Sequence, residues 1–188
     1  MTENNGYAKY AEMKIYSIAT NLTDSVIFLD EINGSRILPI WIGSYEAQSI
    51  VLKLSGYPSP RPMTHDLLFN ILKKTGLSIR NVCISDISNK TFFAYLFIEK
   101  SSNKKDSFKM DARPSDALAL AVRFGCPILV HEQVFEKAQT LAKPISEEEV
   151  RQFKHNLSNL KPSDIINNLM KKKKHPGEDK GQDKDHHA

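Results

Sequence analysis

The chain reads as runs of β-patterned residues interrupted by helical ones. MKIYSIAT (Met13–Thr20) alternates at period two. SVIFLDE (Ser25–Glu31) is rich in β-formers, and Asn33-Gly34 behind it signals a hairpin whose return strand is Arg36–Ile42. The period then changes. Ala47, Ile50, Val51 and Leu54 recur at helical spacing, with Ser44 placed to cap the helix and Gly56 to close it. The connector YPSPRP (Tyr57–Pro62) resists both helix and sheet. Thr64 is placed to cap a second helix, HDLLFNILKKTG, which ends in lysines and Gly76 as the helix dipole prefers.

The second half repeats the pattern. Arg80–Asp86 and Thr91–Ile98 read as strands and Ser107–Ala112 as their partner. A helix over Pro114–Phe124 follows, with proline in its first turn, then a short buried strand at Pro127–Val130. RILPIWIGSYEAQSIVLKLSG follows the outline of SFKMDARPSDALALAVRFG. Glu46-Ala47 falls on Asp116-Ala117, Trp41 on Asp111, and Lys53 on Arg123. The expected class is α+β: a mixed, mostly antiparallel sheet with helices packed on it, built as an internal β-β-β-α duplication.

HEQVFEKAQTL reads as a helix finishing the domain. Ser146-Glu147-Glu148-Glu149 reads as a capping box before a helix with Val150, Phe153, Leu157 and Leu160 on one face. The expected organisation is a flexible N-terminus (1–12), one domain (13–140), a helical extension (141–170) and a disordered Lys-rich tail (171–188).

Composition narrows the classes. With 188 residues and 40% hydrophobic content the chain can bury one real core. The formal charge is +4, but the tail holds six Lys against four Asp/Glu, leaving 20 basic and 18 acidic residues before it. That balance does not advertise tight nonspecific duplex binding. Cys83 and Cys126 lie in apolar settings without metal-ligand spacing, so two reduced, packed thiols are expected. The start of the chain lacks signal-peptide order and no apolar run reaches membrane-spanning length, so a cytoplasmic protein with no membrane partner is expected. Exposed apolar sheet surface in so small a domain makes a homodimer the expected assembly.

Three charged clusters carry the candidate chemistry: Glu46, then Arg61-Pro62-Met63-Thr64-His65-Asp66, then Asp111-Arg113-Ser115-Asp116. Each stands at a predicted helix N-terminus, where backbone N–H groups attract anions. Capping accounts for the carboxylates but not for Arg61 and Arg113, because a cation at that end is unfavourable. Each arginine needs a carboxylate or an anionic ligand such as phosphate. His65 is a general base, a metal ligand or a surface helix start. Trp41 reads as core rather than as a base-stacking platform.

LPIWIGSYEAQSI, PRPMTHDLL and MDARPSDALALAVRFGCPILV resemble, in that order and spacing, the bifunctional nuclease domain family, over about Met13–Ala138. The resemblance implies an α+β fold with a repeated motif and hydrolysis of both DNA and RNA. It places Glu46, His65, Asp66, Asp111 and Asp116 as catalytic candidates and Arg61, Arg113 and Ser115 as ligands of the substrate phosphate. Glu46, Asp66, Asp111 and Asp116 would hold a divalent ion, Mg²⁺ or Mn²⁺, that activates water. The alternative is a non-catalytic binding or regulatory domain whose Arg/Asp clusters are structural or bind an anionic ligand or a protein partner.

Overall fold

The β-patterned runs collect into one eight-stranded sheet in the computed structural model, which describes residues 9–20, 24–57 and 59–143. In chain order the elements are β1 (Tyr10–Thr20), β2 (Ser25–Glu31), β3 (Arg36–Ile42), α1 (Ser44–Leu54), α2 (Thr64–Lys74), β4 (Leu77–Ser88), β5 (Thr91–Lys100), β6 (Asn103–Ala112), α3 (Pro114–Phe124), β7 (Ile128–His131), α4 (Glu132–Lys137) and β8 (Leu141–Ala142). The sheet order is β6-β5-β4-β7-β1-β2-β3-β8. Every pairing is antiparallel except that of β4 with β7, so the sheet is mixed and mostly antiparallel, as the pattern implied.

Two meanders, β1-β2-β3 and β4-β5-β6, are each followed in the chain by a helix, and β7 closes the gap between them. The β-β-β-α order therefore occurs twice, with α2 inserted between the halves. This is a recurrence of order, and common descent of the halves does not follow from it.

Local physics explains most boundaries. Ser88 faces Thr91 across a two-residue turn in which Asn89 and Lys90 both have positive φ, 48° and 64°, the type I′ geometry that matches the twist of the strands. α3 begins on Pro114 and stops at Gly125, whose φ of 64° is the left-handed conformation that costs a glycine nothing. Ser44 and Thr64 are first helical residues rather than caps; Gly43 and Met63 occupy the cap positions. β8 carried no signal of its own, since two residues are held as a strand only by pairing with Arg36 and Ile37.

The main core lies where the helices meet the sheet, joining Ile27, Leu29, Val82, Ile84, Leu96 and Ile98 to Ile50, Leu72 and most of α3. α3 is central: of its 11 residues only Pro114, Asp116, Val122 and Phe124 are not fully buried, and it packs against α1, α2 and three strands. Val26, Phe28, Ile37 and Leu141 form a smaller cluster, on the other side of β2 because alternate strand residues face opposite ways. Trp41 pairs with Val26 on that side and is 42% exposed, so it is not the core residue its apolar strand suggested. Arg36 holds α4 in place by bonding Glu31 and Glu132 while lying 3.7 Å over the Phe135 ring.

Tyr10–Glu12 belong to β1 and pair with β7, where the N-terminus was expected to be flexible. The expected helix at Ser146–Leu160 and the tail lie outside the described residues. Both cysteines are free, Cys83 buried and Cys126 half-buried, and burial pushes the Cys126 thiol up to about 11. Among the described residues no helix is long and apolar enough to cross a membrane.

The type I′ turn yields a stability prediction. Lys90→Gly should stabilise the protein by about 0.5–1 kcal/mol, because lysine pays for positive φ and glycine does not. A rise in the urea midpoint at unchanged slope is the expected reading; no rise would mean that the turn is not strained.

Candidate functional site

Three chain segments turn into helices on the same side of the sheet. β3 turns at Gly43 into α1, the proline-rich connector enters α2 at Met63, and β6 turns at Arg113 into α3. Because α1 and α2 both pack on α3, polar side chains from all three starts meet in one hydrogen-bonded chain.

At the solvent end is Arg113. Its Nη2 lies 2.8 Å from Glu46 Oε1, and its Nε donates to Asp116 Oδ2 at 2.8 Å. Its side chain is 66% exposed. These carboxylates raise the Arg113 pKa further above its ordinary value, the Asp116 hydrogen bond being the larger cause. Gly43 matters locally, since a Cβ there would collide with the Glu46 carboxylate that reaches Arg113.

Asp116 Oδ1 lies 3.1 Å from His65 Nε2, and His65 Nδ1 lies 3.0 Å from Ser49 Oγ. Arg123 Nη2 donates to the same Ser49 oxygen at 3.0 Å, so the hydroxyl proton is free to point at His65 Nδ1. These bonds are mutually satisfied by a neutral imidazole carrying its proton on Nε2, an assignment made from the hydrogen-bond pattern. Arg123 is the buried end of the chain, its side chain 2% exposed. Its Nε donates to Asp66 Oδ1 at 2.8 Å and its Nη1 to the Ala119 carbonyl at 2.9 Å. Asp66 Oδ2 accepts from the Met63 N–H at 3.0 Å, closing the entry to α2.

Two carboxylates are held below the usual range although burial pushes both upward. For Asp116 the bonds from Arg113 and His65 outweigh burial; for Asp66 those from Arg123 and the Met63 N–H do. Beside Asp66 and Arg123 a cavity of about 410 Å³ opens, walled also by Lys53, Tyr57, Ser59 and Phe69.

Of the candidates read from the sequence, Glu46, His65, Asp66, Asp116 and Arg113 share this network. Asp111 does not: it faces Tyr95 across β6 and β5 and is exposed, with no polar contact to the others. Ser115 is buried, 5% exposed in the first turn of α3, and lies outside this network. Arg61 is exposed in the connector and makes no ion pair among the described residues. The four-carboxylate metal cradle does not assemble. Asp66 is bonded to Arg123, Glu46 and Asp116 share Arg113, and no three His, Cys, Asp or Glu residues gather into a metal-holding group among the described residues.

Residues 27–143 match the bifunctional nuclease domain. The chain belongs to that family. Among its relatives is the uncharacterized protein Rv1829 of Mycobacterium tuberculosis, 39% identical over 149 residues that cover 74% of this chain and 87% of the relative. Bifunctional nuclease 2 of Arabidopsis thaliana is 28% identical over 108 residues, 57% of this chain and 33% of the plant protein. Bifunctional nuclease 1 of Oryza sativa subsp. indica is 23% identical over 110 residues, covering 58% and 33%. Within the family match lie all three helix starts that build the network.

Sequence reasoning missed Ser49 and Arg123 as site residues. Arg123 had a signal, a lone cation in the apolar helix ALALAVRF, and it surfaced only as the counterpart of Lys53. Ser49 had none, because a serine inside a helix is unremarkable until its partners are known.

Asp66→Ala should destabilise the protein by roughly 3 kcal/mol in urea unfolding, because it leaves a buried guanidinium without its carboxylate. Adding Arg123→Met should recover part of that loss; purely additive losses would show the pair is not coupled. Acid should act through the same carboxylates. The folded pKa values of Asp66 and Asp116 lie below their unfolded ones, so their stabilisation is complete above about pH 4 and is lost as pH falls through the folded values. The urea midpoint should therefore drop toward pH 3, and less steeply in an Asp66→Asn/Asp116→Asn double variant.

Proposed function

We propose that this chain hydrolyses phosphodiester bonds of DNA and RNA at the Glu46–Arg113–Asp116–His65 cluster. The observation that carries the reading is Arg113: a half-open guanidinium beside two carboxylates and an oriented imidazole, in a chain of the bifunctional nuclease domain family. Its pair with Glu46 is solvent-exposed on the arginine side, and such pairs contribute about 0–1 kcal/mol. A phosphate, which takes arginine bidentately, can displace Glu46 from it. Glu46, once released, is free to accept the proton of a water that attacks phosphorus as the bond to the leaving oxygen breaks. Asp116 stays on Arg113 Nε and keeps the imidazole directed. The leaving oxygen takes its proton from solvent, because neutral His65 has its Nε2 proton on Asp116 and its Nδ1 on Ser49 and so acts by holding Asp116 in place, while Arg113 offsets the charge that develops on the phosphoryl oxygens. No step is routed through a divalent ion, because the carboxylates do not form a cradle for one.

A second reading is favoured by the pairing of Glu46, Asp66 and Asp116 with arginines: an anion-binding or regulatory module without turnover. One experiment separates the two. Purified chain is incubated with single- and double-stranded DNA and RNA in Mg²⁺, in Mn²⁺ and in EDTA, beside Asp116→Asn purified identically. The expected result is cleavage by the parent and a loss of at least about 100-fold in the variant, the scale of a positioned acid–base pair. Equal cleavage by both proteins would sink the hydrolase reading, and the EDTA arm decides whether an ion is needed.

A further inference from the structure

The 410 Å³ cavity is not explained by the hydrolytic cluster, which lies at the opposite end of the polar chain. Its walls come from three sources. Leu52, Lys53 and Gly56 end α1, Tyr57, Ser59 and Pro62 belong to the connector, and Asp66, Phe69 and Asn70 lie on the first two turns of α2, with Arg123 behind. Four features bear on what it takes. Tyr57 is 69% exposed, although an aromatic ring is a large apolar surface to leave in water. Phe69 is fixed beneath by an edge contact with Phe124, centroids 4.8 Å apart, so one wall is a rigid aromatic. Lys53 lines the cavity, forms no ion pair among the described residues and acts on Asp66 only through its field. Asp66 and Asn70 add acceptor and amide edges.

From this arrangement we infer that the cavity is a subsite for one unstacked nucleotide of a single-stranded nucleic acid, with its base on Tyr57 and its phosphate on Lys53. The inference deepens the hydrolase reading by naming the strand state of the substrate. An aromatic platform with nearby cations is the arrangement by which proteins hold single strands without reading their sequence, since every base has a π-face. A base in a duplex is stacked on both sides and cannot enter, so the cavity selects single strands and loops. Arg123 is not a phosphate ligand here. Its donors are already taken by Asp66, Ser49 and the Ala119 carbonyl, which leaves the anion to Lys53. The Ser49–His65 link places this subsite on the same network as the cluster at Arg113, so a strand seated here is led toward it.

The test measures binding apart from cleavage. Fluorescein-labelled 12-nucleotide DNA and RNA, single-stranded and as duplexes, are titrated with the full chain in EDTA and followed by anisotropy. Single strands should bind more tightly than duplexes. Tyr57→Ala should weaken single-strand binding by at least about fivefold, the low end for loss of one stacked base, while Tyr57→Phe should retain it. Lys53→Ala should weaken binding and lower the salt dependence by somewhat less than one counterion. If Tyr57→Ala and Lys53→Ala bind single strands like the parent, or duplexes bind equally well, the subsite does not exist, whatever the cleavage assay shows. Tyr57-dependent binding without any cleavage would uphold the subsite and remove the hydrolase reading instead.

Discussion

The bond between Arg123 and Asp66 fixes where the site can be. α2 fully buries only one residue, Leu72, so apolar burial alone holds it weakly against the domain. Its start is set by polar contacts instead: Asp66 grips Arg123 from α3 and receives the Met63 N–H, and Phe69 meets Phe124 edge-on. A guanidinium 2% exposed is tolerable only when its donors are met, and Asp66, Ser49 and the Ala119 carbonyl meet them. Breaking that set frees the end of α2 and with it His65, one residue before Asp66. Arg123 therefore acts on the cluster through position and not by touching a substrate.

Arg113 has the same chemistry in another dielectric, and the outcome differs. Both arginines bond carboxylates at 2.8 Å, but Arg113 is 66% exposed where Arg123 is 2%. Water screens the outer pair and makes exchange of Glu46 for another anion inexpensive, whereas the inner pair is committed to structure. Distance alone does not sort structural from functional arginines here; burial does.

Much of this was legible in the chain. Ser25–Glu31, Arg36–Ile42 and Pro114–Phe124 match the observed elements at both ends, because alternation, a hairpin signal and a Pro/Gly pair each mark a boundary locally. The sheet class and the family also followed from local pattern and motif order. What did not follow was pairing. Arg113 was known to need an anion, and the structure supplies Asp116 and Glu46 rather than Asp111, a choice set by how α1 packs on α3. Asp111 and Ser115 stand within two residues of Arg113, yet the strand directs one away and the helix buries the other. Trp41 looked like core because its neighbours are, but alternation puts it on the face away from the helices.

The charge balance of the network also depends on the helices that carry it. Glu46, Asp66 and Asp116 face two guanidiniums, a formal balance of −1 when His65 is neutral. Each carboxylate also lies in the first turn of its own helix, and a helix N-terminus contributes about half a positive charge. Three such termini contribute positive charge that offsets the deficit, so backbone dipoles help the carboxylates to stay ionised. The helices converge because α3 offers small buried residues, Ala117, Ala119 and Ala121, that let neighbouring helices come close. The same run of alanines that makes α3 look like plain core is thus what brings the three charged helix starts within bonding distance.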